Sequence, residues 1–170
     1  MKRVLVIGPG GSGKSTFARR LGQVLGIEVK HLDRFYWRAG WTKPSNEEWL
    51  KTVDELTSGD SWIIDGNFGG TLAQRVARCD TIIFLDMPRL LCLWRLTRRR
   101  MLYRNRARPD MSEGCNEKLD LDFIDWVWNY SKRSRPRVIK LLNESSETKK
   151  VVWLRSRADA ENFLVNLEKS

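Results

Sequence analysis

Runs of consecutive apolar residues recur along the chain and predict the strands of a sheet. The first run, residues 4–7, is rich in β-branched side chains and has no polar position. Continuous runs of this kind are typical of strands buried on both faces of a parallel sheet. Similar runs lie at residues 61–65, 81–86 and 151–154, and a short strand is expected at 27–32.

Segments with helical spacing of apolar residues separate these runs. They lie at residues 14–25, 45–56, 88–103, 158–167 and 121–142, the last broken near Pro136. Ser45 and Glu48 have the spacing of a capping box, and Pro88 suits the first position of a helix. Strands that alternate with helices predict a parallel α/β sheet covered on both sides.

Composition fits one domain spanning residues 1–170. The chain is 41% hydrophobic with eight Trp, enough for one sizeable core.

One irregular polar stretch, residues 105–120, is long for a compact domain, and we expect a lid within 105–135. No apolar run long enough for a membrane span and no signal region is present, so we expect a cytoplasmic protein without a membrane partner.

The positions of the three cysteines and the single histidine do not form the pattern of a metal site or of a set of disulfides. Cys79, Cys92 and Cys115 are far apart and odd in number, with no Cys-x-x-Cys pair. A structural zinc site and a disulfide framework are therefore not expected.

The sequence GPGGSGKS at residues 8–15 lies between the first predicted strand and the first helix. Glycines are needed here because the backbone must curl so that successive N–H groups point at phosphate oxygens. Lys14 then reaches the β- and γ-phosphates, and the Ser15 hydroxyl ligates Mg²⁺. This pattern predicts binding of ATP with Mg²⁺. The residues expected to hold the nucleotide are Gly8, Gly10, Gly11, Ser12, Gly13, Lys14, Ser15, Thr16 and Arg95.

Three aspartates follow apolar runs, at the edge of the sheet where ligands bind in parallel α/β folds. Asp65 is interpreted as the carboxylate linked to Mg²⁺, or alternatively as a cap of its turn. Asp33 is interpreted as a general base or an anchor for a phosphate acceptor, with an ordinary turn residue as the alternative. Asp86 precedes Pro88 and is better explained as a residue at the start of a helix.

Positive charge is concentrated in one stretch. The net charge is +10, and residues 89–108 hold eight Arg with no Asp, Glu or Lys. Arg95 and Arg99 share one helix face and are expected to contact phosphates. Arg133 and Arg135 are interpreted as arginine fingers that approach the γ-phosphate. For any single arginine, a solvated surface position is the alternative.

Aromatic residues follow Asp33 directly. Phe35, Tyr36, Trp37 and Trp41 fall within seven positions of one another. They either wall an acceptor pocket by stacking on a planar ring or form an ordinary hydrophobic cluster.

Several motifs together resemble the adenylate-kinase-like branch of P-loop small-molecule kinases. Within that branch, the chain is most similar to the bacterial group labelled DNA topology modulation proteins. The segments that carry the resemblance are 6–16, 31–33, 37–41, 62–67, 82–86, 108–111 and 132–136. They span nearly the whole chain.

The resemblance implies a P-loop NTPase three-layer sandwich, with a five-stranded parallel sheet in the order 2-3-1-4-5 and a short lid. It implies that Arg95 and Arg99 lie near the base and phosphates of ATP, and that Arg133 and Arg135 end the lid. Adenylate kinases carry Asp-Gly-Phe-Pro-Arg where this chain has Asp-Gly-Asn-Phe-Gly at 65–69, so AMP is doubtful as the acceptor and Arg75 is a possible substitute. The residues expected on the acceptor side are Asp33, Trp37, Asp65, Asn67 and Arg75.

Two classes of function are compatible with these features. The favoured hypothesis is a kinase that moves the γ-phosphoryl group of ATP to a nucleoside, nucleotide or related metabolite, with Lys14, Asp33, Arg99, Arg133 and Arg135 as catalytic residues. The alternative is a nucleic-acid-associated ATPase or regulator, motivated by the net charge and the group's label. A nucleotide-dependent switch without transfer is a third possibility.

Overall fold

A computed structural model describes residues 1–104, 111–112, 114–115 and 121–169. Residues 105–110, 113 and 116–120 of the predicted lid lie outside this description, and with them Arg106, Arg108 and most of the 108–111 motif.

Five parallel strands form one sheet, in the order β2-β3-β1-β4-β5. The strands are β1 Arg3–Ile7, β2 Val29–His31, β3 Trp62–Asp65, β4 Thr81–Leu85 and β5 Lys150–Leu154. The central strand β1 pairs Val6 with Asp65 of β3 and with Ile83 of β4. The predicted α/β fold and its strand order are confirmed.

Eight α-helices and one short 3-10 helix surround the sheet within the described residues. They are α1 Lys14–Leu25, α2 Leu32–Tyr36, the 3-10 helix Ala39–Trp41, α3 Asn46–Leu56, α4 Gly69–Arg78, α5 Arg89–Leu102, α6 Leu121–Arg133, α7 Arg135–Ser145 and α8 Arg157–Glu168. The Ser45 and Glu48 capping box is present, and the predicted break near Pro136 falls at Ser134. Among the described residues, every helix is too short or too polar to cross a membrane.

Two short elements differ from the expectation. The strand expected at 27–32 ends at His31, and α2 begins at Leu32, so Asp33 lies in the first turn of a helix and not after a strand. Helix α4 was not predicted, because it opens with Gly69 and Gly70, which are poor helix formers.

Alternate side chains of β1 enter two core layers. Leu5 and Ile7 pack with residues of α3, α4 and α7, whereas Val4 and Val6 pack with residues of α1, α5 and α8. Helix α6 contributes to both layers. Because all four β1 side chains are fully buried, the apolar run identified in the sequence is explained by burial on both faces of the sheet.

Candidate active site

The phosphate loop joins β1 to α1 and is shaped by glycines in the left-handed region. Gly13 has φ 95° and forms the N-cap of α1. Gly11 has φ 76°, and a Cβ atom there would lie 2.3 Å from the backbone oxygen of Cys92. Only glycine fits at residue 11, because the loop backbone lies directly on α5. Helix α1 has no side-chain cap and no acid in its first turn, so its N-terminus suits an anion.

Side chains from two other elements hold this loop. The Asn67 amide accepts from the Gly8 N–H at 3.1 Å and donates to the Gly8 carbonyl at 2.5 Å. The Arg95 guanidinium donates to the Ser12 carbonyl at 2.8 Å. Because both contacts are to backbone atoms, they fix the conformation of the loop before a ligand arrives.

Lys14 begins α1 at the end of the loop, is half-buried, and its ammonium donates to the Pro9 carbonyl at 2.9 Å. Burial lowers the pKa of Lys14, while the nearby negative charges of Asp65 and Asp33 act in the opposite direction. The structure therefore brings the two predicted carboxylates and the phosphate-loop lysine within electrostatic reach of one another.

A cavity of about 1370 Å³ opens over the loop. The predicted residues that line it are Gly10, Gly11, Ser12, Gly13, Lys14, Ser15, Thr16, Asp33, Trp37, Asp65, Asn67, Arg95 and Arg99. Gly8 does not line the cavity, and its backbone N–H donates to Asn67 instead of facing the open space. The phosphate-loop residues and the residues predicted on the acceptor side thus share one continuous space.

Asp65 ends β3 with only 4% of its side chain exposed and contacts Nδ1 of His31. Ser15 lines the same cavity. Among the described residues, no group of three His, Cys, Asp or Glu is arranged to hold a metal ion. A hydroxyl, a carboxylate and phosphate oxygens are hard oxygen ligands, so this donor set fits an Mg²⁺ ion that arrives with a nucleotide.

The aromatic segment after Asp33 divides between the core and the cavity. Tyr36 packs against Trp49 and Phe68, with ring centroids 4.9 Å and 4.6 Å away. Trp37 and Trp41 line the cavity, 5.5 Å apart in an edge-on arrangement. The hydrophobic-cluster interpretation therefore holds for Tyr36, and the acceptor wall stays a prediction for Trp37 and Trp41.

This segment is tied to Ser112 and Cys115. The Ser112 hydroxyl donates to the Arg34 carbonyl at 2.6 Å, and the Cys115 thiol lies 3.1 Å from the Arg38 carbonyl. Trp41 has φ 64°, an uncommon value for a bulky residue. The Arg38 N–H donates to the Thr42 carbonyl at 2.9 Å across this turn.

Arg75 differs from the expectation that it meets an acceptor phosphate. Its side chain is fully buried, and its guanidinium donates to the carbonyls of Gly66 at 3.0 Å, Asn67 at 2.5 Å and Phe68 at 2.9 Å. Burial lowers the pKa of Arg75 to about 10. Arg75 holds the loop that carries Asn67, and it does not line the cavity.

The two predicted arginine fingers also lie away from the main cavity. Arg135 forms a two-pronged ion pair with Asp86, at 2.9 Å and 2.8 Å. Arg133 pairs with Asp125 at 2.9 Å and is 65% exposed. In this conformation neither guanidinium lines the cavity over the phosphate loop. The C-terminal half of the predicted lid is helix α6, whose Val127 and Tyr130 are buried.

Several cavity residues were not identified in the sequence. Lys43 and Thr42 follow Trp41, and Arg157 and Glu161 come from α8. No motif marks them, because they reach the cavity only through the packing of distant segments.

The strand order of this chain and its phosphate loop match the fold of P-loop kinases. No protein-family model and no curated protein sequence matches the chain. In structure, the chain is similar to shikimate kinase from Bacteroides thetaiotaomicron, with a TM-score of 0.61 and 16% sequence identity. The match covers 99% of this chain and 97% of the other, so the likeness extends over the whole fold.

Proposed function

We propose that the protein is an ATP-dependent phosphotransferase acting on a small acceptor that carries a hydroxyl group, such as a nucleoside, nucleotide or related metabolite. The observation that carries this proposal is the single cavity shared by the phosphate loop and by Asp33 and Trp37. The P-loop kinase fold supports it. The nearer resemblance to DNA topology modulation proteins stays a sequence-based expectation.

The donor half of the site binds the triphosphate. Backbone N–H groups of the loop and the N-terminus of α1 surround the phosphates, and Lys14 leaves the Pro9 carbonyl to contact them. Ser15 and Asp65 would hold Mg²⁺, which supplies neutralisation of phosphate charge when bound. Arg95 and Arg99 line the same cavity and add positive charge.

The acceptor half orients a hydroxyl toward the γ-phosphorus. Asp33 accepts the hydroxyl proton while the acceptor oxygen bonds to the γ-phosphorus. The bond from that phosphorus to the bridging oxygen breaks, and its electron pair leaves with ADP. Trp37 and Trp41 wall this half and present aromatic surface to a ring of the acceptor.

A panel of acceptors tests the proposal. Nucleosides, nucleotides and cyclic hydroxy acids are each incubated with ATP and Mg²⁺, and ADP release is measured. Shikimate belongs in the panel because the similar structure is a shikimate kinase. At least one compound is expected to raise ADP release well above the acceptor-free rate. Asp33→Asn is expected to lower turnover on that compound by roughly 100-fold or more. Undiminished turnover in the variant would remove Asp33 from the base role.

Association with nucleic acid is the second candidate, motivated by the net charge of +10. Part of this charge lies at the main cavity, which is lined by Arg19, Arg20, Arg95, Arg98, Arg99 and Arg157. A nucleotide site would use arginines in these positions, except Arg20, which pairs with Glu161 at 2.6 Å. Binding of a labelled duplex at about 0.15 M salt, with affinity falling steeply as salt rises, would instead support the second candidate.

A further inference from the structure

A second cavity, of about 610 Å³, lies on another side of the phosphate loop. Its lining includes Pro9, Asp86, Arg89, Tyr130, Arg135 and Arg155. They come from the loop, the turn after β4, the start of α5, helix α6, the start of α7 and the end of β5. Only Met87 lines both this cavity and the main one.

The charged groups of the second cavity carry a surplus of positive charge. Arg135 and Asp86 form an ion pair and neutralise each other. Arg89 lies over the ring of Trp128 at 4.3 Å, and Arg155 over the ring of Trp153 at 5.5 Å. Within the part of the chain that the structure describes, neither of these two guanidinium groups donates a hydrogen bond. Both side chains are exposed, and the rings hold them at the cavity with their donors open to a ligand.

Helix α5 begins at the same cavity. Its N-cap is Pro88, it has no side-chain cap, and its first turn contains no acidic residue. A helix of 14 residues presents unpaired N–H groups and a partial positive charge at such an end.

Tyr130 gives independent evidence that a polar ligand belongs here. Only 4% of this residue is exposed, and its hydroxyl has no hydrogen-bond partner among the described residues. Burial raises the pKa of Tyr130, so the hydroxyl stays protonated as a donor. A buried donor without an acceptor is costly in a folded protein, and an oxyanion would supply the acceptor.

We propose that this cavity is a second ligand site, which binds a doubly charged oxyanion: inorganic phosphate or the phosphoryl group of a small monoester. Arg89, Arg155, the N-terminus of α5 and the Tyr130 hydroxyl are its donors. The volume suits a small metabolite. The site goes beyond the proposed phosphotransfer and does not depend on it.

Calorimetric titration with inorganic phosphate and with glycerol phosphate, at constant ionic strength set with chloride, tests this site. The titrations use Lys14→Ala protein, so that the phosphate loop contributes little. Saturable binding is expected to persist there. Adding Arg89→Leu or Arg155→Leu is expected to weaken it about tenfold. The matched control is Arg3→Leu, which removes the same charge at the far end of β1 and is expected to leave the affinity unchanged.

A finer variant separates ligand binding from folding. Tyr130→Phe removes only the hydroxyl, and we expect weaker phosphate binding with no fall in the thermal midpoint, because the buried donor has no protein partner to lose. Both oxyanions binding equally well to the Arg89, Arg155 and Arg3 variants would overturn the proposal. Absence of any saturable binding to the Lys14→Ala protein would overturn it as well. Neither outcome bears on the kinase proposal, because no ATP turnover is measured.

Discussion

The phosphate loop and the acceptor wall, residues 32–43, face the same cavity but are built in different ways. The loop is fixed by backbone geometry at Gly11 and Gly13 and by side chains that bind its backbone, from Asn67 and Arg95. The wall is fixed by ring packing within the segment and by contacts to Ser112 and Cys115. Its only regular structure is two short helices.

This difference in construction matches two different tasks, binding of a triphosphate by the loop and recognition of a particular acceptor by the wall. A triphosphate presents the same oxygens in every ATP-dependent protein, so a loop of backbone donors serves them all. An acceptor is recognised by shape and by placed polar groups, which side chains of an irregular segment supply. Under the proposed function, the identity of the acceptor would be encoded in the wall, and changes to the two regions should have separable effects.

The largest effect is expected from breaking the loop backbone. In Gly11→Ala, the new Cβ would lie 2.3 Å from the Cys92 carbonyl oxygen, so the loop or α5 must shift. We expect a loss of about 3 kcal/mol in the free energy of unfolding, together with loss of ATP binding.

Gly26→Ala is the matched control for that change. Gly26 also has a left-handed φ, of 65°, but an added Cβ meets nothing within 4 Å. Only backbone strain remains, and about 1 kcal/mol is expected. Urea unfolding and ATP titration of both variants check this; equal losses would contradict the close contact between the loop and α5.

A smaller effect is expected from Arg75→Met, which acts on residues 66–68. This segment contacts both regions, because Asn67 binds Gly8 of the loop and Phe68 packs against Tyr36 of the wall. The change removes the donors that bind the carbonyls of Gly66, Asn67 and Phe68, and these groups lose their buried partners. We expect a loss of about 2 kcal/mol in stability and weaker ATP binding through Asn67. The control is Arg34→Met, at an exposed position. Unchanged stability of Arg75→Met would show that the three carbonyls find other partners.

Trp37→Leu tests the wall alone. Removing an indole from the acceptor half is expected to raise KM for the acceptor about tenfold, while KM for ATP stays the same. Trp94→Leu changes an indole that is 57% exposed on α5 and outside the cavity, and should alter neither constant. Steady-state kinetics with each substrate varied in turn measures both. A rise confined to KM for ATP would place Trp37 in the donor half.

The smallest effect concerns pH and Lys14. Burial puts the pKa of this group below 10.5 in the folded protein, so between that lowered pKa and 10.5 the unfolded chain binds more protons. The titration of Lys14 therefore makes the free energy of unfolding rise with pH in this window. The Lys14→Met variant has no titrating group at this position and should not show that rise. Urea unfolding of both proteins from about pH 8 to about pH 10 should show a steeper rise for the native chain; parallel curves would contradict the lowered pKa.

Local features were predictable from the sequence, and contacts between distant segments were not. The glycine spacing of the loop gave α1 its correct start at Lys14, and apolar runs gave four of the strands to within one residue. The two hydrogen bonds between Asn67 and Gly8 join residues 59 apart, and the pair between Arg135 and Asp86 joins residues 49 apart. Nothing in the local pattern distinguishes these arginine and asparagine side chains from ones that contact a ligand.

The fate of the γ-phosphoryl group tests the central claim most directly, that donor and acceptor meet in one cavity. ATP labelled in that group is incubated with the native protein and the best acceptor of the panel, and the labelled products are separated. We predict label in a phosphorylated acceptor, strongly reduced in Asp33→Asn and in Lys14→Ala. Label that appears only in inorganic phosphate, at the same rate with and without acceptor, would contradict the account.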